Sequence, residues 1–137
     1  MTDLAGVPAP QQGVVATTLL IVRDQDRSHE FYVDVLGASL IRERDPVVLQ
    51  LGGMWLILNS GGGPTPDKPD IVAAPPSDPS TFASALNLRV PDVHTTWRDL
   101  TRAGAQFITE PIDRGAEIRC YLRDPDGHLI EIGQSRQ

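Results

Sequence analysis

Apolar residues along this chain recur in two patterns, the alternation of half-buried strands and the wider spacing of amphipathic helices. Val14–Val22 is apolar and β-branched, which predicts a strand. Gln25–Leu36 then carries apolar residues at helical spacing, and Gly37 stands where a glycine commonly ends a helix. Three further strands are predicted at Ala38–Arg44, Val47–Leu51 and Met54–Asn59, the last two joined at Gly52-Gly53. The predicted order is strand, helix and three strands.

The same order of elements restarts at Phe82. A strand over Phe82–Val90 leads to a helix that Asp92 caps and Gly104 ends. Further strands are predicted at Gln106–Thr109, Glu117–Arg123 and His128–Gly133, with a tight turn at Asp124-Pro125-Asp126-Gly127. Leu20–Asp24 and Leu88–Asp92 therefore open equivalent helices, which indicates a diverged internal repeat.

A segment of different composition separates the two halves. Ser60–Ser80 contains three glycines and six prolines and little that could be buried, which predicts a surface loop that is either disordered or a lid. Within it, Ile71–Ala74 is a candidate edge strand. The predicted organisation is an N-terminal extension (1–13), a first unit (14–59), a Pro/Gly-rich linker (60–81), a second unit (82–133) and a C-terminal tail (134–137).

Composition excludes several classes of function. The 137 residues fit one domain with a sizeable core, and the formal net charge of −6 without basic runs argues against a nucleic-acid partner. No apolar stretch is long enough for a spanning helix, and the N-terminus lacks the features of a signal peptide. The single cysteine, Cys120, can form no internal disulfide, which favours a reducing compartment. We therefore expect a cytoplasmic protein with no membrane partner, in which Cys120 is a small buried apolar residue.

Two stretches carry a resemblance to a known family. The first is Val22–Gly37, with Phe31-Tyr32 and Asp34-Val35-Leu36-Gly37, and the second is Asp124–Glu131. In this order and at this separation they resemble the vicinal oxygen chelate superfamily, which includes glyoxalase I, extradiol dioxygenases, fosfomycin-resistance enzymes and bleomycin-binding proteins. The resemblance implies an α+β fold of two βαβββ units, a curved mixed sheet around a concave ligand cup, and a homodimer.

Strand alternation predicts which side chains face that cup. In the last strand, Ile130 and Ile132 suit the helix-packed side and leave Glu131 facing the cup. The same argument applies to the other strands except the first, where only the family's register places Thr17 inside. The predicted ligand-binding residues are Thr17, Trp55, Ile57, Asn59, Asn87, Arg89, Arg119, Tyr121 and Glu131.

The resemblance also implies where a metal would bind. The four ligand positions of metal-dependent members fall at Thr17, about Trp55, Ala85 and Glu131, and only Glu131 can ligate a metal. A catalytic divalent ion needs about three protein donors. The three histidines, His29, His94 and His128, are not expected on cup-facing positions. We therefore predict no cofactor and no metal ion at these four positions. A divalent ion elsewhere is possible but disfavoured.

The polar cup residues leave two interpretations open. Arg89 and Arg119 are suited to bidentate recognition of a carboxylate or phosphate, or one of them neutralises Glu131. Trp55 either stacks on a planar ligand or belongs to the core.

Three functions follow from these alternatives, and whether the protein is an enzyme stays open. The first is metal-free binding of an aromatic or anionic small molecule, as in the bleomycin-resistance branch, including drug sequestration. The second is a lyase, isomerase or dioxygenase with a displaced metal site or with Glu131 as catalytic base. The third is a degenerate member that serves interaction or regulation.

Overall fold

The computed structural model describes residues 7–136, so residues 1–6 of the predicted N-terminal extension and residue 137 lie outside the described residues. The first half contains strand β1 (Thr17–Val22), helix α1 (Gln25–Glu30) with a π-helical continuation (Phe31–Val35), and strands β2 (Ser39–Arg42), β3 (Val47–Leu51) and β4 (Met54–Ser60). The second half contains strand β5 (Ala85–Arg89), helix α2 (Val93–Arg102), and strands β6 (Ile112–Asp113), β7 (Glu117–Arg123) and β8 (Leu129–Ser135).

The two halves form two compact units that meet in sequence at Pro75 and Pro76, within the predicted linker. Each unit has one four-stranded sheet, with strand orders β1-β4-β3-β2 and β5-β8-β7-β6. In each sheet the first strand runs parallel to the last, and the other neighbours are antiparallel. The predicted repeat of two βαβββ units with mixed sheets is confirmed.

Equivalent capping contacts begin both helices and equivalent glycines follow them. The Asp24 carboxylate accepts hydrogen bonds from the backbone N–H groups of Asp26 and Arg27, and the Asp92 carboxylate accepts one from Thr95. Such bonds satisfy amides that have no partner within the helix. Gly37 and Gly104 have φ angles of 78° and 111°, a region that side-chain-bearing residues rarely adopt. Each unit therefore begins its helix with an aspartate cap and follows it with a glycine at positive φ.

The predicted alternation agrees with the buried core. In the first unit, Leu56 and Leu58 are fully buried, whereas Trp55, Ile57 and Asn59, which alternate with them, are half-buried. In the second unit the fully buried side chains include Val93, Leu122, Ile130 and Ile132. One face of each sheet therefore supplies most of the core of its unit. The other face carries the polar and half-buried side chains, together with Val48, which is fully buried opposite Ile57.

Both predicted opening strands are shorter than expected, and the partner strand sets the start of the second one. The predicted Val14–Val22 strand begins at Thr17, and Val14 is exposed. The predicted Phe82–Val90 strand begins at Ala85, whose register partner Leu129 is the first residue of β8. Residues before Ala85 have no strand to pair with, so Phe82 lies in a loop.

The helix and strand predicted between Gln25 and Arg44 also need correction. The predicted helix over Gln25–Leu36 is α-helical only to Glu30, and its second half is π-helical, with the Leu36 N–H bonded to the Phe31 carbonyl at 3.3 Å. The strand predicted at Ala38–Arg44 is confined to β2. No helix in residues 7–136 is long and apolar enough to cross a membrane.

Three further strand predictions differ from the structure. Gln106–Thr109 forms only a bridge between Phe107 and Leu122, and the short strand β6 follows Pro111 instead, a residue with no N–H to donate. Ile71–Ala74 forms only a bridge between Ala73 and Gly62. The last strand begins at Leu129 because the N–H of His128 bonds to the Asp124 carboxylate of the preceding turn, at 2.9 Å.

The orientation of β7 predicts that the thiol of Cys120 reacts slowly in the native protein. Its side chain is 1% exposed on the core side of the strand, and burial raises the pKa of its thiol to about 11. We expect native protein to react with a thiol reagent such as dithionitrobenzoate at least about a hundredfold more slowly than urea-unfolded protein, because attack needs an accessible thiolate. Rapid reaction of the native protein would contradict this orientation.

Candidate functional site

The candidate site is built around Glu131 on one face of the second sheet. Strand register places Asn87 of β5 and Tyr121 of β7 directly beside Glu131 of β8. Alternation along the same strands brings Arg89 and Arg119 to this face as well. We call this surface the Glu131 face. It gathers all five predicted ligand-binding residues of the second unit.

Glu131 is a buried residue, 8% exposed, and its carboxylate accepts three hydrogen bonds. The Tyr121 hydroxyl donates to Oε1 at 2.6 Å, while Asn87 Nδ2 and Arg89 Nη1 donate to Oε2 at 3.1 and 3.0 Å. The bond to Glu131 raises the pKa of the Tyr121 phenol, which therefore stays protonated as a donor at neutral pH. Both carboxylate oxygens are satisfied by the protein itself.

A second carboxylate, that of Glu117, joins the same network. Arg89 Nη2 donates to Glu117 Oε1 at 2.8 Å and also to the Ser135 hydroxyl at 2.9 Å, and Arg119 Nη1 donates to Glu117 Oε2 at 3.2 Å. The Arg89 hydrogen bond is the main cause that lowers the pKa of Glu117. Two guanidinium groups thus balance two carboxylates. Arg89 is the arginine that pairs with Glu131, and Arg119 pairs with Glu117 instead.

Gly133 makes room for the Arg89 guanidinium. Strand register places Gly133 between Arg89 on β5 and Arg119 on β7. A Cβ at position 133 would overlap Arg89 Nη1 and would lie 3.0 Å from Nη2. The missing side chain therefore lets the guanidinium lie over the sheet within reach of both carboxylates.

The sequence prediction missed Glu117, Gly133 and Phe82 at this site. Glu117 shares the alternation of Arg119 and Tyr121, so strand periodicity could have identified it. The Phe82 ring packs edge-on against Tyr121, with centroids 5.8 Å apart. That contact depends on the path of a loop, for which alternation gives no signal.

An open pocket of about 250 Å³ lies beside β7. Its walls come from the loop before β6, from β6 and the residue after it, and from β7. The lining residues are Ile108, Thr109, Ile112, Arg114, Arg119, Cys120 and Tyr121. Arg119 and Tyr121 were predicted as ligand-binding residues, whereas Arg114 and the two isoleucines were not.

The other predicted ligand-binding residues lie in the first unit. Register pairs Thr17 with Trp55 and Leu19 with Ile57, and Asn59 lies on the same face of that sheet. The pair Leu19–Ile57 occupies the position that Asn87–Glu131 occupies in the second sheet. Ile57 rather than Trp55 is therefore the register equivalent of Glu131. This face is mainly apolar, and Thr17 is exposed.

The described residues do not fit the divalent ion that the resemblance implies. No three His, Cys, Asp or Glu side chains between residues 7 and 136 lie close enough together to hold a metal. Thr17 and Ala85 stand at two expected ligand positions, and neither Trp55 nor Ile57 could act at the third. The Arg89 guanidinium, 3.0 Å from Glu131, would also repel a cation there.

Comparison with known proteins identifies the family. The model of the Glyoxalase/Bleomycin resistance protein/Dioxygenase superfamily matches residues 14–132, and the chain belongs to this superfamily. It is 26% identical over 125 residues to a probable lactoylglutathione lyase of Synechocystis sp., covering 86% of this chain and 92% of the relative.

Solved structures support the same fold. A glyoxalase/bleomycin resistance protein/dioxygenase from Nocardioides has a TM-score of 0.72 at 21% identity, over 93% of this chain and 87% of that one. An antibiotic binding protein from a Streptomyces species has a TM-score of 0.66 at 21% identity, over 92% and 100% of the two chains. At these identities the similarity shows the fold alone.

The close approach of Arg89 to Gly133 predicts that the effect of Gly133→Ala on stability depends on whether Arg89 is present. We expect Gly133→Ala to destabilise the protein by about 1 kcal/mol, because the new methyl group displaces Arg89 from Glu131. In an Arg89→Ala background the same substitution should be neutral or stabilising, since alanine favours a strand over glycine. Urea unfolding of the single and double variants measures the difference.

Gly53→Ala is the matched control for this experiment. A Cβ at Gly53 meets nothing within 4 Å, and its backbone has no positive φ. Its effect should be small and the same in both backgrounds. Equal effects of Gly133→Ala with and without Arg89 would contradict the described position of the guanidinium.

Proposed function

We propose that this protein binds a small organic molecule, aromatic or anionic, without a divalent metal ion. The observation that carries the proposal is the Arg89–Glu131 ion pair. Of the four expected metal-ligand positions, only Glu131 has a side chain that could bind a metal, and that side chain is already paired with a cationic guanidinium. A site whose carboxylate is already neutralised gains little from a second cation. Ligand affinity must then come from apolar contacts and from the remaining polar groups.

The surfaces available for such a ligand support this proposal. The first sheet presents Trp55 and Ile57, both half-buried, and the second unit has the pocket beside β7 with two arginines. Apolar walls with few polar groups are typical of small-molecule sites. The similarity to an antibiotic binding protein agrees with a role in drug sequestration. The homodimer expected from the sequence stays a prediction.

An isomerase, dioxygenase or lyase is the competing hypothesis, and relatives named lactoylglutathione lyase favour it. Without a metal, such an enzyme would need Glu131 as its base. Both Glu131 oxygens already accept hydrogen bonds, from Tyr121 and from Asn87 and Arg89. Three protein donors thus already occupy most of the lone-pair positions that a substrate proton could use, which makes binding the better-supported function.

Metal dependence separates the two hypotheses. We expect Mn²⁺, Ni²⁺ and Zn²⁺ to leave the melting temperature of the protein unchanged within about 1 °C, because binding to the native state would raise it. EDTA should likewise leave the affinity for an aromatic carboxylate such as 1-naphthoate unchanged. Calorimetric titration and thermal melting measure both quantities.

Glu131→Gln, which removes the only competent ligand, is the control for this experiment. It should leave the response to metal ions as it is in the unsubstituted protein. One ion bound per chain and lost in Glu131→Gln would overturn the proposal. Metal-dependent lactoylglutathione lyase turnover would overturn it equally.

A further inference from the structure

We infer that the pocket beside β7 binds an organic anion, with Arg114 and Arg119 holding the negative group and Ile108 and Ile112 holding the apolar body. This inference rests on the proposed binding function and specifies its ligand. The sequence predicted anion recognition by Arg89 and Arg119, whereas the inference assigns it to Arg114 and Arg119.

Arg89 is unsuited to anchor a ligand because its terminal nitrogens are engaged. Nη1 donates to Asn87 and Glu131, and Nη2 donates to Glu117 and Ser135. An anion that approached this group would have to displace a carboxylate. Such an exchange gains little, since one ion pair is lost for each one formed.

Arg114 is differently placed. Its backbone N–H bonds to the Glu117 carbonyl at 2.8 Å, which fixes the base of the side chain at the pocket. Within residues 7–136 no carboxylate lies within ion-pair distance of its guanidinium. The neighbouring Asp113 is paired with Arg136 and accepts a bond from the Gly115 amide, so it does not neutralise Arg114.

The charges around the pocket therefore leave a local surplus. Arg119 shares Glu117 with Arg89, and these two arginines balance Glu117 and Glu131. Arg114 adds one positive charge that no described carboxylate balances, although the whole chain carries a net charge of −6. Glu110 lines a neighbouring pocket with Trp97 and Phe107 and is not part of this one.

The remaining walls of the pocket are apolar or already bonded. Ile108 and Ile112 are 54% and 47% exposed, so apolar surface is open to a ligand. The hydroxyl of Tyr121 is bonded to Glu131, and that of Thr109 donates to the Glu110 carbonyl at 2.7 Å. Arg114, which has no described carboxylate partner, and Arg119, which bonds to Glu117 through Nη1 alone, thus supply the charge recognition. Isoleucine side chains and a tyrosine ring supply apolar contact.

The size of the pocket limits the ligand. Its volume of about 250 Å³ lies just below the roughly 300 Å³ at which typical small-molecule sites begin. A carboxylate or sulfonate on one or two rings matches these dimensions and charges. Larger ligands would extend out of the pocket into solvent.

The experiment compares two probes, 1-naphthoate and its neutral isostere 1-naphthamide, by calorimetric titration of the full chain. We expect Arg114→Gln to weaken 1-naphthoate binding about tenfold, because a charge-assisted hydrogen bond is lost. Binding of 1-naphthamide should not change. Arg102→Gln is the matched control, since it removes the same charge from an exposed arginine of α2 outside the pocket.

The outcomes separate this inference from the proposed function. Equal affinities of Arg114→Gln and Arg102→Gln for 1-naphthoate, with unsubstituted protein binding it tightly, would overturn the assignment of Arg114 and leave ligand binding intact. Failure of the unsubstituted protein to bind either probe would overturn both. Amide NMR shifts on 1-naphthoate addition should centre on Ile108, Ile112 and Tyr121; shifts confined to other residues would also overturn the site. Thermal melting shows whether each variant is folded.

Discussion

A carboxylate that is removed from water must be paired, and the second sheet depends on how it meets this requirement at Glu131. This residue is 8% exposed, and three donors from two neighbouring strands surround its carboxylate. Arg89 supplies the charge, and Gly133 supplies the space in which Arg89 lies. Removal of Arg89 would leave the buried charge of Glu131 unbalanced, which is costly.

This pairing also limits the chemistry of the site. The superfamily to which the chain belongs includes proteins with different activities on one scaffold, so the residues decide and the fold does not. Here the residue at the last ligand position is bound to a guanidinium, and the other positions carry no ligating side chain. In the function that we propose, recognition of a ligand is therefore left to apolar walls and to Arg114 and Arg119.

Much of this fold was predictable from local pattern. Alternation placed Leu56, Leu58, Ile130 and Ile132 in the core and Glu131 on the opposite face, because strand side chains have a period of two. The helix caps and terminal glycines followed from the chemistry of helix ends. Strand lengths were less predictable, since the start of β5 is set by its partner β8 and not by its own apolar residues.

The contacts of the candidate site were harder to predict. Alternation placed Arg89 and Glu131 on one face, but it left open whether Arg89 binds a ligand or the carboxylate. That choice depends on the absence of a side chain at Gly133, which follows Glu131 by two residues on β8 and is the register partner of Arg89. Arg114 and Phe82 lie outside the long strands, where no periodicity indicates which way a side chain points.

The most direct test is a double-mutant cycle on the ion pair, with Arg89→Gln, Glu131→Gln and the double variant compared by urea unfolding. The account predicts a favourable coupling of about 1–3 kcal/mol between the two side chains, because each is the other's charged partner at the Glu131 face. It also predicts that Glu131→Gln costs less in the Arg89→Gln background than in the unsubstituted protein. Additive effects, with a coupling below about 0.3 kcal/mol, would contradict the account.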